Sequence, residues 1–357
     1  MSTRSGRTAP RFTQLVVPAV LFVALAVAGL IWAKWWPYAF KLRGLLISRS
    51  WSGSSMLISG GPAATAPSLR AGWDFTLDYG KAVWKALVVG LLLASAADAL
   101  VPRRWIAGVL SRPRRSGGSV AGGLLSIPCM MCTCCAAPLA GSLRRTGAPT
   151  SSVLAYWVGN PTLNPAVLAF LAVVAPWQWV LTRLLVGIVL VFGVTVLVDR
   201  LTRTADTATG TSSATLGAET DAPLRTAPRR FALTLGRLSV TLLPEYAVVV
   251  FAIGVFRGWL FPLGANAAHW GMLAVVFALI GTLVVIPTAG EIPVLQGLAA
   301  AGAGTGVLGA LLITLPAISL PSMIMLMRDL SWRVTLAMAA GVAAAGLAAG
   351  ALLWAIT

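Results

Sequence analysis

Four cysteines lie within seven consecutive residues and are the side chains best suited to chemistry. They are Cys129, Cys132, Cys134 and Cys135, and the sequence contains no other cysteine. Because a disulfide framework spreads its cysteines along the chain to close loops, this clustering favours free thiols placed for chemistry. Thiolates bind soft centres such as Cu(I), Zn(II) and other thiophilic species, and neighbouring cysteines can present two or three sulfurs to one atom. The alternatives are apolar packing, or a structural zinc knuckle that lacks a second cysteine pair or a nearby histidine.

Two asparagines lie at a predicted helix break further along the chain. Asn160 and Asn164 each precede a proline, in Gly-Asn-Pro-Thr-Leu-Asn-Pro at 159–165. Proline lacks an amide hydrogen and breaks the helical ladder, which frees carbonyl groups and half-helix ends to face a cavity. Ser319 holds the corresponding position in the second half of the chain. We expect these three side chains to line a substrate cavity, and an interhelical hydrogen bond is the equally weighted alternative.

Acidic residues within apolar stretches form the third set of candidates. Glu291 lies at a second predicted helix break, and Glu245 follows Pro244 near the start of an apolar span. A carboxylate inside a membrane is costly and by default indicates a function, often proton transfer. We therefore predict that Glu291, with Glu245 as the second candidate, couples transport to protons. Asp98 is expected at the membrane interface.

The composition indicates what scaffold must position these residues. Hydrophobic residues make up 58% of the 357 residues, charged residues only 10%, and the mean hydropathy is +0.86. A soluble protein carries about 25% charged residues, and apolar runs near the length of a bilayer span recur here. The net charge of +17 comes from basic residues at the ends of apolar segments. This pattern predicts an all-α, multi-pass protein of the cell (plasma) membrane, whose partner is the lipid bilayer and not nucleic acid.

The segments group into four regions. We predict an N-terminal transmembrane helix and extracytoplasmic loop at 1–80, a first repeat at 81–198, a flexible cytoplasmic linker at 199–236 and a second repeat at 237–357. The loop would occupy 37–80, and the Gly-, Pro- and Cys-rich segment 119–142 would form a re-entrant hairpin. Seven full spans and two re-entrant elements give about seven to nine membrane segments.

The second half of the sequence repeats the first. A shift of 155 residues pairs prolines and glycines at the predicted breaks: Pro138 with Pro293, Gly147 with Gly302, and Pro161 with Pro316. Ile127-Pro128 corresponds to Ile286-Pro287 after a gap of four residues. The pair Arg144-Arg145 corresponds to Ala299-Ala300, which is the loss of charge expected if the second loop lies outside the cell. The pattern predicts two inverted repeats with broken or re-entrant helices, which place substrates near the midplane.

A resemblance to a known family rests on three successive motifs. They are Cys-Thr-Cys-Cys-Ala-Ala-Pro-Leu-Ala, Leu-Arg-Arg-Thr-Gly-Ala-Pro and Tyr-Trp-Val-Gly-Asn-Pro-Thr-Leu-Asn-Pro. The sequence from about 80 to about 335 resembles the ArsP/YraQ-type permeases, which include exporters of trivalent organoarsenicals. Cys132 and Cys134 fall on the paired cysteines of that family, which implies that they are the metal or metalloid ligands. Cys135 replaces the usual glycine and Cys129 is additional, which implies a secondary role for both and a substrate that differs from the best-known one.

We therefore predict a permease that exports a small thiophilic solute, either a trivalent organoarsenical or a soft metal or metalloid species. Neither an enzymatic activity nor a cofactor is expected. Because the chain has no Walker-type nucleotide motif, transport would be secondary, with protons as the coupling ion. A membrane thiol/disulfide oxidoreductase and a metal-binding membrane protein are the alternatives.

Overall fold

The structure is a computed structural model that describes residues 12–51, 67–101, 117–208, 224–260, 270–300 and 302–357. These residues form helices and no strands. The helices of the first half are α1 (Phe12–Leu30), α2 (Trp36–Ser48), α3 (Leu69–Leu100), α4 (Gly117–Ser126), α5 (Thr133–Arg145), α6 (Thr150–Thr162), α7 (Pro165–Val174), α8 (Trp177–Ile188) and α9 (Thr195–Ala208). Those of the second half are α10 (Ala227–Leu260), α11 (Trp270–Leu283), α12 (Glu291–Ala300), α13 (Thr305–Ala317), α14 (Leu320–Leu330) and α15 (Trp332–Ile356).

The helices fit the predicted membrane architecture. Within the described residues, six are long and apolar enough to cross a bilayer, counting continuous helical runs as one. A seventh span results if α13 and α14, which meet at a bend of 50°, are counted together. The prediction of an all-α, multi-pass membrane protein is confirmed, with the number of spans at the lower end of the predicted range.

The order of helices in the second half follows that in the first. Helix α13 begins and ends 155 residues after α6, and α14 and α15 begin 155 residues after α7 and α8. Helices α6 and α7 lie on either side of the Asn-Pro break, and α13 and α14 lie on either side of the corresponding break in the second half. The register agrees with the shift found in the sequence, while the inverted orientation of the two halves stays a prediction.

The breaks between helices also share their backbone conformation. Gly147 and Gly302 follow equivalent helices with φ angles of 102° and 84°, a left-handed conformation that glycine adopts at little cost. Met130 and Ala289 have φ angles of 51° and 69°, and each lies two residues after the proline of an Ile-Pro pair. Left-handed residues other than glycine are strained and concentrate at functional sites. The cysteine segment and the segment before Glu291 therefore share an Ile-Pro pair followed by a left-handed residue at the same spacing.

Two predicted non-helical regions differ from the structure. The loop predicted at 37–80 is helical at both ends. Helix α2 continues the run of α1 through the turn Ile31–Trp35 as far as Ser48, and Ser68 caps α3 by accepting from the Ala71 amide at 3.4 Å. The linker predicted at 199–236 is likewise helical in 199–208 and 227–236. Its polar residues continue spanning helices past their apolar part, as in α9, which buries Val198 and Thr202. The middle of the linker, 209–223, lies outside the described residues.

The two halves pack against each other around the cysteine segment. Helix α3 packs along α10, its counterpart in the second half, and also packs on α5, which follows the cysteines. Helix α5 in turn packs on α14. A methyl group at Gly90 of α3 would collide with the carbonyl oxygen of Cys135, so glycine permits this close approach. The cysteines consequently lie where helices of both halves meet.

Candidate functional site

Three of the four cysteines converge because the chain changes conformation between them. A 3₁₀ turn at Ile127–Cys129 ends at the left-handed Met130, and Cys132 takes the extended N-cap position of α5. From there the Cys132 sulfur lies 3.1 Å from that of Cys134 and 3.0 Å from that of Cys135, both in the first turn of the helix. The three sulfurs lie within 4.8 Å of one another, as the ligands of one soft ion would. We call these three residues the thiol cluster.

The thiol cluster is enclosed by side chains from both halves. Each of its cysteines is at most 4% exposed. The hydroxyl groups of Tyr79 in α3 and Tyr246 in α10 both lie 3.5 Å from the Cys134 sulfur. One phenol from each half therefore contacts the same sulfur atom.

Cys129 lies apart from the thiol cluster. Its sulfur contacts the carbonyl oxygen of Leu125 at 3.4 Å and accepts from the Tyr156 hydroxyl at 3.5 Å. It is also half-buried, whereas the cluster is buried. The structure thus groups Cys135 with the two predicted ligands and leaves Cys129 outside the group.

The asparagines hold the breaks in place. Asn160 is fully buried, accepts from the Met131 amide at 3.4 Å and donates to the Tyr156 carbonyl at 2.8 Å. It therefore fixes the backbone directly beside the thiol cluster.

Asn164 caps α7 by accepting from the amides of Ala166 and Val167 at 3.1 and 3.3 Å. Its buried amide nitrogen has no hydrogen-bond partner among the described residues, so it remains available to a ligand.

Ser319 connects the second half to the cysteine segment. It caps α14 in a reciprocal arrangement with Ser322, and its hydroxyl lies 3.1 Å from that of Thr133. Thr133 lies between Cys132 and Cys134, so a side chain at a break in the second half contacts a side chain within the cysteine segment. Ser319 thus belongs to the same neighbourhood as Cys132, as the repeat suggests.

Glu291 forms a buried ion pair with Arg183. The two side chains are 2% and 0% exposed, and a carboxylate oxygen lies 2.8 Å from a guanidinium nitrogen. The same guanidinium donates to the carbonyl oxygens of Pro161 and Thr162 at 2.8 and 3.2 Å. Carbonyls at the first break therefore bind an arginine, and that arginine pairs with the acid at the second break. The pair joins both broken elements within the membrane.

The other two acidic candidates, Glu245 and Asp98, also lie in ion pairs. Glu245 pairs with Arg328 at 3.2 Å, where the arginine is 55% exposed. Arg145, which follows the cysteine helix, pairs with Asp98 at 3.3 Å and with Asp329 at 2.7 Å. Arg145 thus ties α5 both to α3 and to α14 of the second half.

A lysine from the N-terminal helix also reaches the site. Lys34 lies in a π-helical turn between α1 and α2, Ile31–Trp35, and is 6% exposed. Its ammonium donates to the hydroxyls of Tyr38 and Thr288, both at 3.0 Å. Next to it, the Trp35 indole donates to the Pro128 carbonyl at 2.8 Å. The N-terminal helix is therefore attached to the cysteine segment and to the segment before Glu291.

Lys34 and Arg183 are absent from the sequence-based candidates, although a signal for both was present. Each is a basic residue inside an apolar stretch, and an ionisable residue there indicates a function by default. Among the charged residues of the apolar stretches, only acids stand among the sequence-based candidates. The partners of both residues, in contrast, depend on helix packing that no local pattern encodes.

The fold and the site define a multi-pass helical membrane protein with broken helices around a buried polar and thiol-bearing centre. Over residues 73–354 the chain matches the ArsP_1 family, described as "Predicted permease", and it belongs to that family. It is also 38% identical to the UPF0718 protein YraQ of Escherichia coli (strain K12), and the match covers 99% of both chains. No solved structure matches it. The resemblance noted in the sequence is confirmed, and membership of a permease family implies a small-molecule substrate.

Proposed function

We propose that this permease exports a small thiophilic solute and that the thiol cluster is its binding site. The observation that carries the proposal is the convergence of three buried sulfurs at the junction of the two halves. Two further sulfurs at 3.1 and 3.0 Å from that of Cys132 are more than apolar packing requires. Transporters with repeated halves place their substrates at such a junction of broken helices.

The chemistry suits a trivalent organoarsenical without any redox change. A species R–As(OH)₂ exchanges its two hydroxide groups for two thiolates, so that two As–O bonds break and two As–S bonds form. The two thiol protons leave with the hydroxides as two water molecules. A soft metal ion would instead displace the thiol protons into solution. The third sulfur would complete three-sulfur coordination of a soft metal ion, and it would allow an arsenical to pass stepwise from one sulfur to the next.

We further propose that the halves are inverted repeats that expose the thiol cluster alternately to the two sides of the membrane. The matching helix register and the paired left-handed residues at the breaks support this proposal. The contact between Thr133 and Ser319 provides a place where one half can move against the other. Arg-rich segments on both sides of 119–142 favour entry of the solute from the cytoplasm.

Glu291 is our candidate for proton coupling, with Glu245 as the second. Protonation of Glu291 would remove its charge, leave Arg183 unpaired and so weaken the contact between the two breaks. A proton would then favour a different arrangement of the halves, which is what coupling requires. Glu245 is less buried and pairs with a half-exposed arginine, so its protonation would disturb the fold less.

A membrane thiol/disulfide oxidoreductase is the second candidate function. Cys132 and Cys135 have the spacing of a Cys-x-x-Cys pair at the start of a helix, and their sulfurs lie 3.0 Å apart. Such a pair gives up two electrons when it reduces a disulfide of a partner protein, and it takes up two electrons when it forms one. A redox role predicts that only this pair is essential, whereas solute binding also requires Cys134.

The decisive experiment is transport into inside-out vesicles that contain each cysteine-to-serine variant at matched expression. We expect Cys132→Ser, Cys134→Ser and Cys135→Ser each to abolish uptake of a trivalent methylarsenical and protection of a sensitive host. Cys129→Ser is the matched control and should retain most of the activity, since its sulfur lies outside the cluster. Full transport by the Cys132/Cys134 double variant would refute the thiol mechanism. Loss in Cys132→Ser and Cys135→Ser alone would favour the redox alternative.

A further inference from the structure

We propose that the two helix breaks together form a binding site for one monovalent cation, and that the guanidinium of Arg183 occupies it in place of a free ion. The site lies between the carbonyls of Pro161 and Thr162 at the first break and the carboxylate of Glu291 at the second. The cysteines are not part of it. The proposal therefore concerns how transport is coupled, and it does not depend on which solute the thiol cluster binds.

The first argument is that the sequence frees these carbonyls. In a continuous helix the Pro161 carbonyl would accept from the amide of residue 165, but that residue is a proline. The Thr162 carbonyl would accept from Ala166, whose amide instead donates to the Asn164 side chain at 3.1 Å. Both carbonyls lie in the last turn of α6, where the helix dipole adds partial negative charge. The break therefore creates a place that favours a positive charge.

The second argument is the set of oxygen atoms that surrounds the guanidinium. The carbonyl oxygens of Pro161 and Thr162 lie 2.8 and 3.2 Å from its nitrogens, and a carboxylate oxygen of Glu291 lies 2.8 Å away. Unwound carbonyls coordinate coupling ions in transporters with broken helices, and carboxylates are ligands of hard cations. Arg183 and Glu291 are both at most 2% exposed, so these oxygens are closed off from water. Together they are the ligand set of a cation site.

The third argument is that the carboxylate contact depends on charge and not on the shape of arginine. The nitrogen that lies 2.8 Å from Glu291 forms no aligned hydrogen bond with it or with any other described residue. A site built to recognise arginine would show two parallel hydrogen bonds between guanidinium and carboxylate. A positive charge at this point therefore satisfies Glu291, whichever group carries it.

A tethered occupant has a consequence for coupling. Arginine stays protonated at any physiological pH and Arg183 is part of α8, so the site cannot release its cation to either side of the membrane. A transporter coupled to sodium must bind and release the ion in each cycle. The charge of Glu291 is then the one part of the site that can change, which agrees with its proposed role in proton coupling.

The test removes the tether and supplies the cation in free form. Arg183→Ala deletes the side chain beyond Cβ, which has the shape of an ethylguanidinium ion. Thermal unfolding of the purified full-length variant in detergent is followed by tryptophan fluorescence, with ionic strength held constant by choline chloride. Ethylguanidinium at about 10 mM should raise the unfolding midpoint of this variant by about 2 °C or more, since a ligand that binds only the folded state stabilises it. Ethylurea has the same shape without the charge and should have no effect.

Two proteins serve as controls. The unmodified protein should not respond to ethylguanidinium, because its site is occupied. The double variant with Arg183→Ala and Glu291→Gln has the same cavity without the carboxylate charge and should not respond either. No shift in Arg183→Ala, an equal shift with ethylurea, or an equal shift in either control overturns the proposal.

A second pair of variants applies if Arg183→Ala does not fold. Arg183→Lys keeps the positive charge and Arg183→Gln removes it, so the lysine variant should unfold at a higher midpoint than the glutamine variant. Equal midpoints overturn the proposal, because the site would then not require a cation.

A transport measurement separates this proposal from the function proposed above. Uptake of a trivalent methylarsenical by vesicles that contain the unmodified protein should be unchanged when choline replaces sodium, because the site takes up no free ion. Dependence of uptake on sodium would contradict the tethered site. If no uptake occurs at all, the proposed solute is wrong, while the unfolding measurements still decide whether the two breaks bind a cation.

Discussion

The buried ion pair between Arg183 and Glu291 makes the sharpest prediction about the stability of this fold. We consider Arg183→Met, Glu291→Met and the double variant, since methionine is similar in length to both side chains and carries no charge. Each single change leaves one buried charge without its partner, because the two side chains are at most 2% exposed. The double change removes both charges together.

The magnitudes follow from the contacts of the pair. At 2.8 Å the attraction is about 6 kcal/mol with an effective dielectric constant of about 20, and it is offset by the cost of removing both ions from water. Breaking such a pair by removing one partner costs about 3–5 kcal/mol, so this is the expected loss for Glu291→Met. Arg183→Met should cost more, since it also leaves the carbonyls of Pro161 and Thr162 without a donor, at about 1–3 kcal/mol each.

The double variant distinguishes a true pair from two independent residues. With both charges absent, only the unpaired carbonyls and altered packing remain, so it should be more stable than Arg183→Met. Equilibrium unfolding in mixed micelles, followed by tryptophan fluorescence, gives the four free energies of a double-mutant cycle. Should the effects of the two single changes simply add, the side chains do not interact and our account of the junction is wrong. Monodispersity on size exclusion controls for aggregation.

Three further predictions concern transport, access and topology. Glu291→Gln should abolish accumulation driven by a proton gradient and leave solute exchange intact, and a variant that keeps its pH dependence would show a structural role only. Arg145→Ala removes the ion pairs that tie the cysteine helix to Asp98 and Asp329, so it should speed the reaction of the thiol cluster with a cytoplasmic maleimide, and an unchanged rate would contradict this. Single cysteines at positions 209 and 303 in a cysteine-free chain should be labelled from opposite sides of the membrane, whereas labelling from one side excludes the inverted arrangement.

Hydropathy and proline positions predicted the class of the fold and most of its breaks. The break at the Asn-Pro segment, a break at the cysteine segment and the register of 155 residues all recur in the structure, because proline and glycine act on the backbone locally. The re-entrant hairpin at 119–142 stays a prediction. The ends of α2, α3, α9 and α10 were missed, since capped polar residues can extend a helix beyond its apolar part.

The sequence by itself determined that this is a multi-pass membrane protein with broken helices, since burial in lipid imposes both composition and helix length. It also determined that all four cysteines belong to one short segment, because they lie within seven consecutive residues. Only the tertiary structure decided that Cys135 joins Cys132 and Cys134 while Cys129 does not, since this depends on a left-handed Met130 and the N-cap position of Cys132. The same holds for the contacts of Lys34 with Thr288 and of Arg183 with Glu291, each of which joins residues more than 100 positions apart. Contacts between distant residues follow from how helices pack, and no short stretch of sequence specifies that.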